Sequence, residues 1–100
     1  DLVRSRGLGD VYKRQGNEEI DLVGMAGKSP IFAAECKWSE KPIGVDVLRD
    51  LRRKVSLIDP GRKISNVRLG LFSRSGFTKE VNGLGKKGEV ELIDIQKMGV

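Results

Sequence analysis

EEIDLVGMAGKSPIFAAECKW, residues 18–38, decides how the rest of the chain is read. Residues 18–25 (EEIDLVGM) alternate imperfectly, with Ile20 and Leu22 on one side and Asp21 and Val23 on the other. That pattern predicts a strand. Ala26-Gly27-Lys28-Ser29 supplies turn residues, and Pro30, which has no N–H to give a ladder, belongs at the start of a strand or on an edge. Pro30 to Trp38 (PIFAAECKW) then predicts a second strand, antiparallel to the first through that short turn. Period 2 puts Glu35 and Lys37 on one face, about 6.5–7 Å apart along the chain. Ile31 and Ala33 share that face, so the acid leaves an apolar stripe, while Ala34, Cys36 and Trp38 point the other way. Folding the hairpin about Gly27 and Lys28 brings Asp21 opposite residue 34 or 35, and cross-strand neighbours lie about 4.5–5.5 Å apart.

Outward from the hairpin, Ser39 to Gly44 (SEKPIG) is a loop broken by Pro42 and Gly44. Val45 to Ile58 (VDVLRDLRRKVSLI) carries apolar residues at 45, 48, 51, 55 and 58, the spacing of an amphipathic helix. Arg49, Arg52, Arg53 and Lys54 read as its solvated face, with phosphate contact as the minority alternative. Asp59-Pro60-Gly61 ends the helix. Asn66 to Ser73 (NVRLGLFS) is nearly apolar throughout, which suits an interior strand covered on both faces. Ser73-Arg74-Ser75-Gly76 is a turn, and Thr78 is an N-cap for a short helix running to about Lys86. Gly83 and Gly85 weaken that helix by about 1 kcal/mol each. Residues 89–95 (EVELIDI) close as a last strand. The order β-β-α-β-α-β implies an α/β layer fold, a mixed sheet with helices packed on it.

A chain of 100 residues is expected to form one domain. Apolar runs such as Ile31 to Ala34 are far short of the ~20 residues of a membrane span, and no stretch has the pattern of a signal peptide. Cys36 is the single cysteine and histidine is absent. An intramolecular disulfide, a histidine-ligated zinc site and the Ser-His and Cys-His nucleophile systems are thereby excluded. Carboxylate, lysine and an oxygen-bound metal remain for catalysis. Residues 1–15 (DLVRSRGLGDVYKRQ) show no clean period and resemble translated adapter sequence, so they are expected to be a non-native leader ahead of a domain at 16–100. The whole chain carries a net charge of +5; without the leader, 15 basic and 12 acidic residues leave +3. Charge alone is therefore weak support for a nucleic-acid partner.

The chemistry-bearing pattern is Asp21, thirteen intervening residues, then Glu35-Cys36-Lys37. Two neighbouring carboxylates repel unless something positive lies between them. A hard divalent cation such as Mg²⁺ takes one or two carboxylates and fills its octahedron with waters and substrate phosphate oxygens. Lys37 beside it is placed to position an attacking water or to stabilise a phosphate as charge builds.

This arrangement resembles the PD-(D/E)XK nuclease superfamily. More narrowly, EEIDLVG (18–24), ECKWSEKPIGVDVLRDLRRK (35–54) and LGLFSRSGFTKE (69–80) are similar to the C-terminal domain of archaeal-type AAA/STAND ATPases, over residues 18–95. The resemblance implies a restriction-endonuclease-like fold in which Asp21 and Glu35 are the metal-binding acids and Lys37 the catalytic lysine. It further implies Mg²⁺ or Mn²⁺ as cofactor, DNA as substrate, endodeoxyribonuclease activity in the full-length cytoplasmic protein, and an upstream ATPase domain as partner. The superfamily usually adds an acidic residue on a helix before the first strand. That helix would fall in residues 1–15 and is expected to be truncated, with Glu18 or Glu19 as weak substitutes. No GxxxxGK[ST] phosphate loop occurs in the sequence.

Blander readings stand beside these. Asp21, Glu35 and Lys37 also fit an ordinary charged face with Lys37 paired to Glu35 or Glu19. Cys36 reads as a buried small hydrophobe. Trp38 fits the rim of the core, or a base-stacking platform. Arg74 and Ser75, at the end of an interior strand before a helix N-terminus, suit a DNA phosphate, as does Lys41 in the loop after Trp38; a simple capped turn explains Arg74 and Ser75 equally well. At the level of function, the alternative to a nuclease is a non-catalytic module that binds nucleic acid or regulates the parent ATPase.

Overall fold

The computed structural model describes residues 12–14 and 18–98 of the chain. Most of the expected leader, and any helix truncated within it, lies outside the described residues. β3 (Leu22–Ala26) and β4 (Ser29–Lys37) form the expected antiparallel hairpin, with Ala26 opposite Ser29. Gly27 opens the two-residue link at φ 66°. A tight hairpin asks for that left-handed backbone at its first central residue, and glycine adopts it without a Cβ clash. Further along, Met25 faces Pro30 but Gly24 faces Phe32, so Ile31 is the extra residue of a bulge. Ser29 Oγ donates to Asp59 Oδ2 at 3.1 Å, tying the hairpin turn to the end of the following helix.

The strand expected over residues 18–25 is divided in two. β2 (Glu18–Ile20) ends at a bend on Asp21 and pairs antiparallel with β1 (Tyr12–Arg14) in a separate two-stranded ribbon. β1 falls inside the segment set aside from the element order, and three residues are too few for a period of 2 to show.

The helices match their sequence signals closely. α1 covers Val45–Ile58, with Asp46 in its first turn where the helix dipole favours an acid. Its apolar stripe buries Leu48, Leu51 and Val55. α2 covers Lys79–Lys86, and Thr78 caps it by accepting the Val81 N–H at 3.3 Å. β5 (Arg68–Ser73) is preceded by a 3₁₀ turn at Ile64–Asn66, and β6 (Glu91–Asp94) is followed by another at Ile95–Met98.

The four-stranded sheet has the order β3-β4-β5-β6, antiparallel at β3–β4 and parallel across β4–β5 and β5–β6. Two successive crossovers running the same way along a sheet, each right-handed, put both connecting helices on one face. Accordingly Leu48, Leu51 and Val55 of α1 and Val81 of α2 share one buried cluster with Val23, Ala33, Leu69 and Leu71. Leu48, Leu51 and Leu71 are completely buried, each contributing roughly 1.5–3 kcal/mol.

β5 is interior as its composition predicts, yet among the described residues helices cover only one of its faces. On the other, Gly70 lies against the Phe32 ring, close enough that a Cβ at 70 would sit 3.6 Å from it. Leu22, Phe32, Phe72 and Ile93 are half-buried. No helix among the described residues is long and apolar enough to cross a membrane.

Candidate active site

Glu35 and Lys37 lie at the C-terminal end of β4, opposite Leu71 and Ser73 of parallel β5. Ligands of open α/β sheets characteristically bind at this end of the strands. Because Leu71 and Ala33 point into the helix-covered core, Glu35 points there too; among the described residues it and Ser73 are the buried polar ones. The bulge sets its partner. Past Ile31 the register runs Gly24–Phe32, Val23–Ala33, Leu22–Ala34, so that the bend at Asp21, just before β3, comes level with Glu35. An unbulged hairpin would have set Asp21 opposite Ala34, and a slip of one residue carries a side chain to the other face. Asp21 Oδ2 accepts the backbone N–H of Cys36 at 2.8 Å, which anchors its carboxylate beside Glu35.

The electrostatics follow from that geometry. Burial, then the neighbouring Asp21 charge and a hydrogen bond with it, push the Glu35 carboxyl from its ordinary 4.5 up to about 7. Lys54 of α1 pulls the other way: its Nζ lies 3.4 Å from Glu35 Oε2. The same ammonium lies 3.3 Å from Asp50 Oδ2. Burial draws the Lys54 pKa down, but the Glu35 charge and Asp50 outweigh it and hold the amine above its usual range. Asp50 is held below the usual carboxylate range, chiefly by its hydrogen bond from Arg53.

Glu35, Lys37 and Lys54 open with Asp46, Val47 and Asp50 into a cleft of about 370 Å³ between β4 and α1. The donor set fits a hard divalent cation. Two carboxylates face each other at a place where their mutual repulsion already raises one pKa, and magnesium needs only one or two protein carboxylates. Among the described residues no group of three or more His, Cys, Asp or Glu side chains could hold a metal. The remaining coordination positions would therefore fall to water and phosphate oxygens.

Trp38, Lys41, Arg74 and Ser75 are brought to the same end of the sheet, on the loops after β4 and β5. These loops are stitched together by Ile43 N–H to Gly76 O at 2.9 Å and Thr78 N–H to Ile43 O at 3.0 Å. Ser75 Oγ donates to Ser39 O at 2.7 Å, and an Arg74 guanidinium nitrogen donates to Trp38 O at 3.3 Å. Ser73 Oγ closes the turn onto Gly76 O at 2.7 Å, with Gly76 at φ 86°. The capped-turn reading of these letters thus describes their hydrogen bonds, while Arg74 and Lys41 stay exposed.

Three expectations are corrected. Cys36 is exposed instead of buried, because its side of β4 carries no helix among the described residues. Trp38 is 65% exposed and does not rim the core, since it follows the last residue of β4 and projects beyond the sheet. Lys54 is not solvated: its side chain is 18% exposed and it is the cation that pairs with Glu35, the place the plain-charged-face reading gave to Lys37. The signal for Lys54 was present in the row Asp46–Asp50–Lys54, spaced by four along the flank of a helix whose Leu51 is buried. The side chains of Glu18 and Glu19 lie outside the described ones.

A sheet whose parallel strands end at a carboxylate pair and a lysine defines an α/β domain of the restriction-endonuclease-like class. The chain belongs to the restriction endonuclease family, whose sequence model matches residues 1–99. No curated protein and no solved structure matches it.

Proposed function

We propose that the chain is a divalent-metal-dependent phosphodiesterase domain that cuts DNA as an endonuclease. Asp21 and Glu35 hold Mg²⁺ or Mn²⁺, and Lys37 orients the attacking water and steadies the phosphate oxygens. Trp38, Lys41, Arg74 and Ser75 line the DNA path, Trp38 by stacking and the others through phosphates. In the full-length protein this domain is the C-terminal module of an AAA/STAND-type ATPase of the cytoplasm. The observation that carries the reading is the Asp21 carboxylate beside buried Glu35, with Glu35 and Lys37 lining one cleft.

The bound metal supplies Lewis-acid stabilisation of charge on the phosphate, worth several kcal/mol. The protein's own groups do the rest. The Cys36 N–H keeps the Asp21 carboxylate from turning away. The apolar neighbours of Glu35 exclude water, which strengthens every charge interaction in the cleft. Lys37, exposed at the mouth, is open to the substrate.

The test is cleavage of linear duplex DNA with Mg²⁺, with and without chelator, by the wild type and Lys37→Ala. Chelator-sensitive cutting that falls by about 100-fold or more in Lys37→Ala is expected. Cutting untouched by Lys37→Ala would remove its catalytic role. DNA binding that weakens steeply with salt, without any cutting, would establish the non-catalytic module instead.

A further inference from the structure

The ammonium of Lys54 is a positive charge held against Glu35, one of the two acids proposed to bind the divalent cation. It lies 3.4 Å from Glu35 Oε2 and 3.3 Å from Asp50 Oδ2. Both contacts exceed the roughly 2.7–2.9 Å of a committed charge-assisted hydrogen bond, so the amine is shared between two carboxylates of different character. Glu35 is 8% exposed at its side chain and Asp50 is 48% exposed. Asp50 divides its oxygens: Arg53 donates to Oδ1 at 2.8 Å, leaving Oδ2 to Lys54. Movement of the amine from Glu35 to Asp50 therefore needs no exchange of partners at Asp50, and it carries the ammonium toward water.

We propose that Lys54 is the resident counter-ion of Glu35, displaced onto Asp50 when a divalent cation enters, so that the Glu35–Lys54–Asp50 row sets how tightly the cation binds. The inference rests on the metal-site reading above and adds a positioning residue to it. Without metal, Lys54 keeps the buried Glu35 carboxylate from lying uncompensated beside Asp21. With metal, the two cations compete for Glu35, and Asp50 gives the amine a second partner 3.3 Å away. Lys54 thus lowers the metal affinity and Asp50 raises it.

The experiment is calorimetric titration of the full chain with Mg²⁺ alone, at fixed ionic strength and about pH 8.5, where Glu35 is ionised. Lys54→Met should bind Mg²⁺ about tenfold more tightly or better, and Asp50→Asn several-fold more weakly, an order-of-magnitude expectation from charge interactions at these distances. Opposite signs are the signature, because a merely structural role would weaken both variants alike. Asp50 is exposed, so Asp50→Asn reads the proposal even if Lys54→Met folds poorly. Wild-type binding with Lys54→Met no tighter, or with Asp50→Asn unchanged or tighter, overturns the exchange while leaving the metal site in place. No Mg²⁺ uptake by the wild type or by either variant overturns the metal-site reading and the exchange with it.

Discussion

Among the clefts along this sheet, two at opposite ends of the parallel strands hold acids beside basic side chains. The one at the N-terminal ends of β5 and β6, lined by Arg52, Arg68, Glu89 and Glu91 among others, is the larger at about 500 Å³, against about 370 Å³ beside Glu35. In the larger cleft each acid has its own arginine: Arg52 bonds Glu89 at 3.1 Å and Arg68 bonds Glu91. These pairs are exposed, and such pairs contribute about 0–1 kcal/mol. In the smaller cleft the buried Glu35 shares Lys54 with Asp50, and Asp21 stands beside it. Between these two, volume does not single out the end proposed as functional. Charge held in place by burial does, because it is costly to maintain and available to a ligand.

That contrast breaks most sharply on activity. Glu35→Gln or Asp21→Asn should lower Mg²⁺-dependent DNA cleavage by at least about a thousandfold, equivalent to about 4 kcal/mol of barrier. Glu89→Gln and Glu91→Gln, at the other end, should leave it within about twofold. Equal losses at both ends would dissolve the distinction.

The next effect is on stability and pH. Glu35 keeps a proton to about pH 7 in the folded chain, whereas an unfolded glutamate releases it near its ordinary 4.5. In that window the folded state binds more protons, so stability falls as pH rises from about 4.5 to about 7 and levels off above. The loss is on the order of 2 kcal/mol, several degrees in Tm for a domain of this size. Melting of the wild type and Glu35→Gln across this range should show the slope in the wild type only, and a parallel slope in both would assign it elsewhere. The smallest effect belongs to the exposed pairs: Arg52→Ala should change unfolding free energy in urea by less than about 1 kcal/mol, and less again at high salt.

Much of the fold was legible because its signals are local. The apolar spacing at 45, 48, 51, 55 and 58 marks α1 at both ends. Thr78 announces α2, and Gly27 between two apolar runs announces the hairpin. That Asp21, Glu35 and Lys37 lie near one another was likewise readable from residue type and spacing. Other features were not. β1 was too short to show a pattern. The exposure of Cys36 depends on which face the crossovers leave open, and a single strand's alternation names two faces without saying which is covered. Lys54 sits in a run of cations, Arg52-Arg53-Lys54: their helical spacing to Asp50 is local, but that Arg52 meets Glu89 and Lys54 meets Glu35 is settled only in three dimensions.

The letters alone specify both helices, the hairpin turn and the strands β4 to β6, since each rests on residues a few positions apart. Only the tertiary structure decided that Asp21 meets Glu35 instead of Ala34. The cause is one extra residue at Ile31, whose bulge turns the register by one and with it the face on which the two acids lie. It also decided that Glu35 is buried beneath α1 with Lys54 as its partner, because burial is a property of what packs above a strand and not of the strand's own letters.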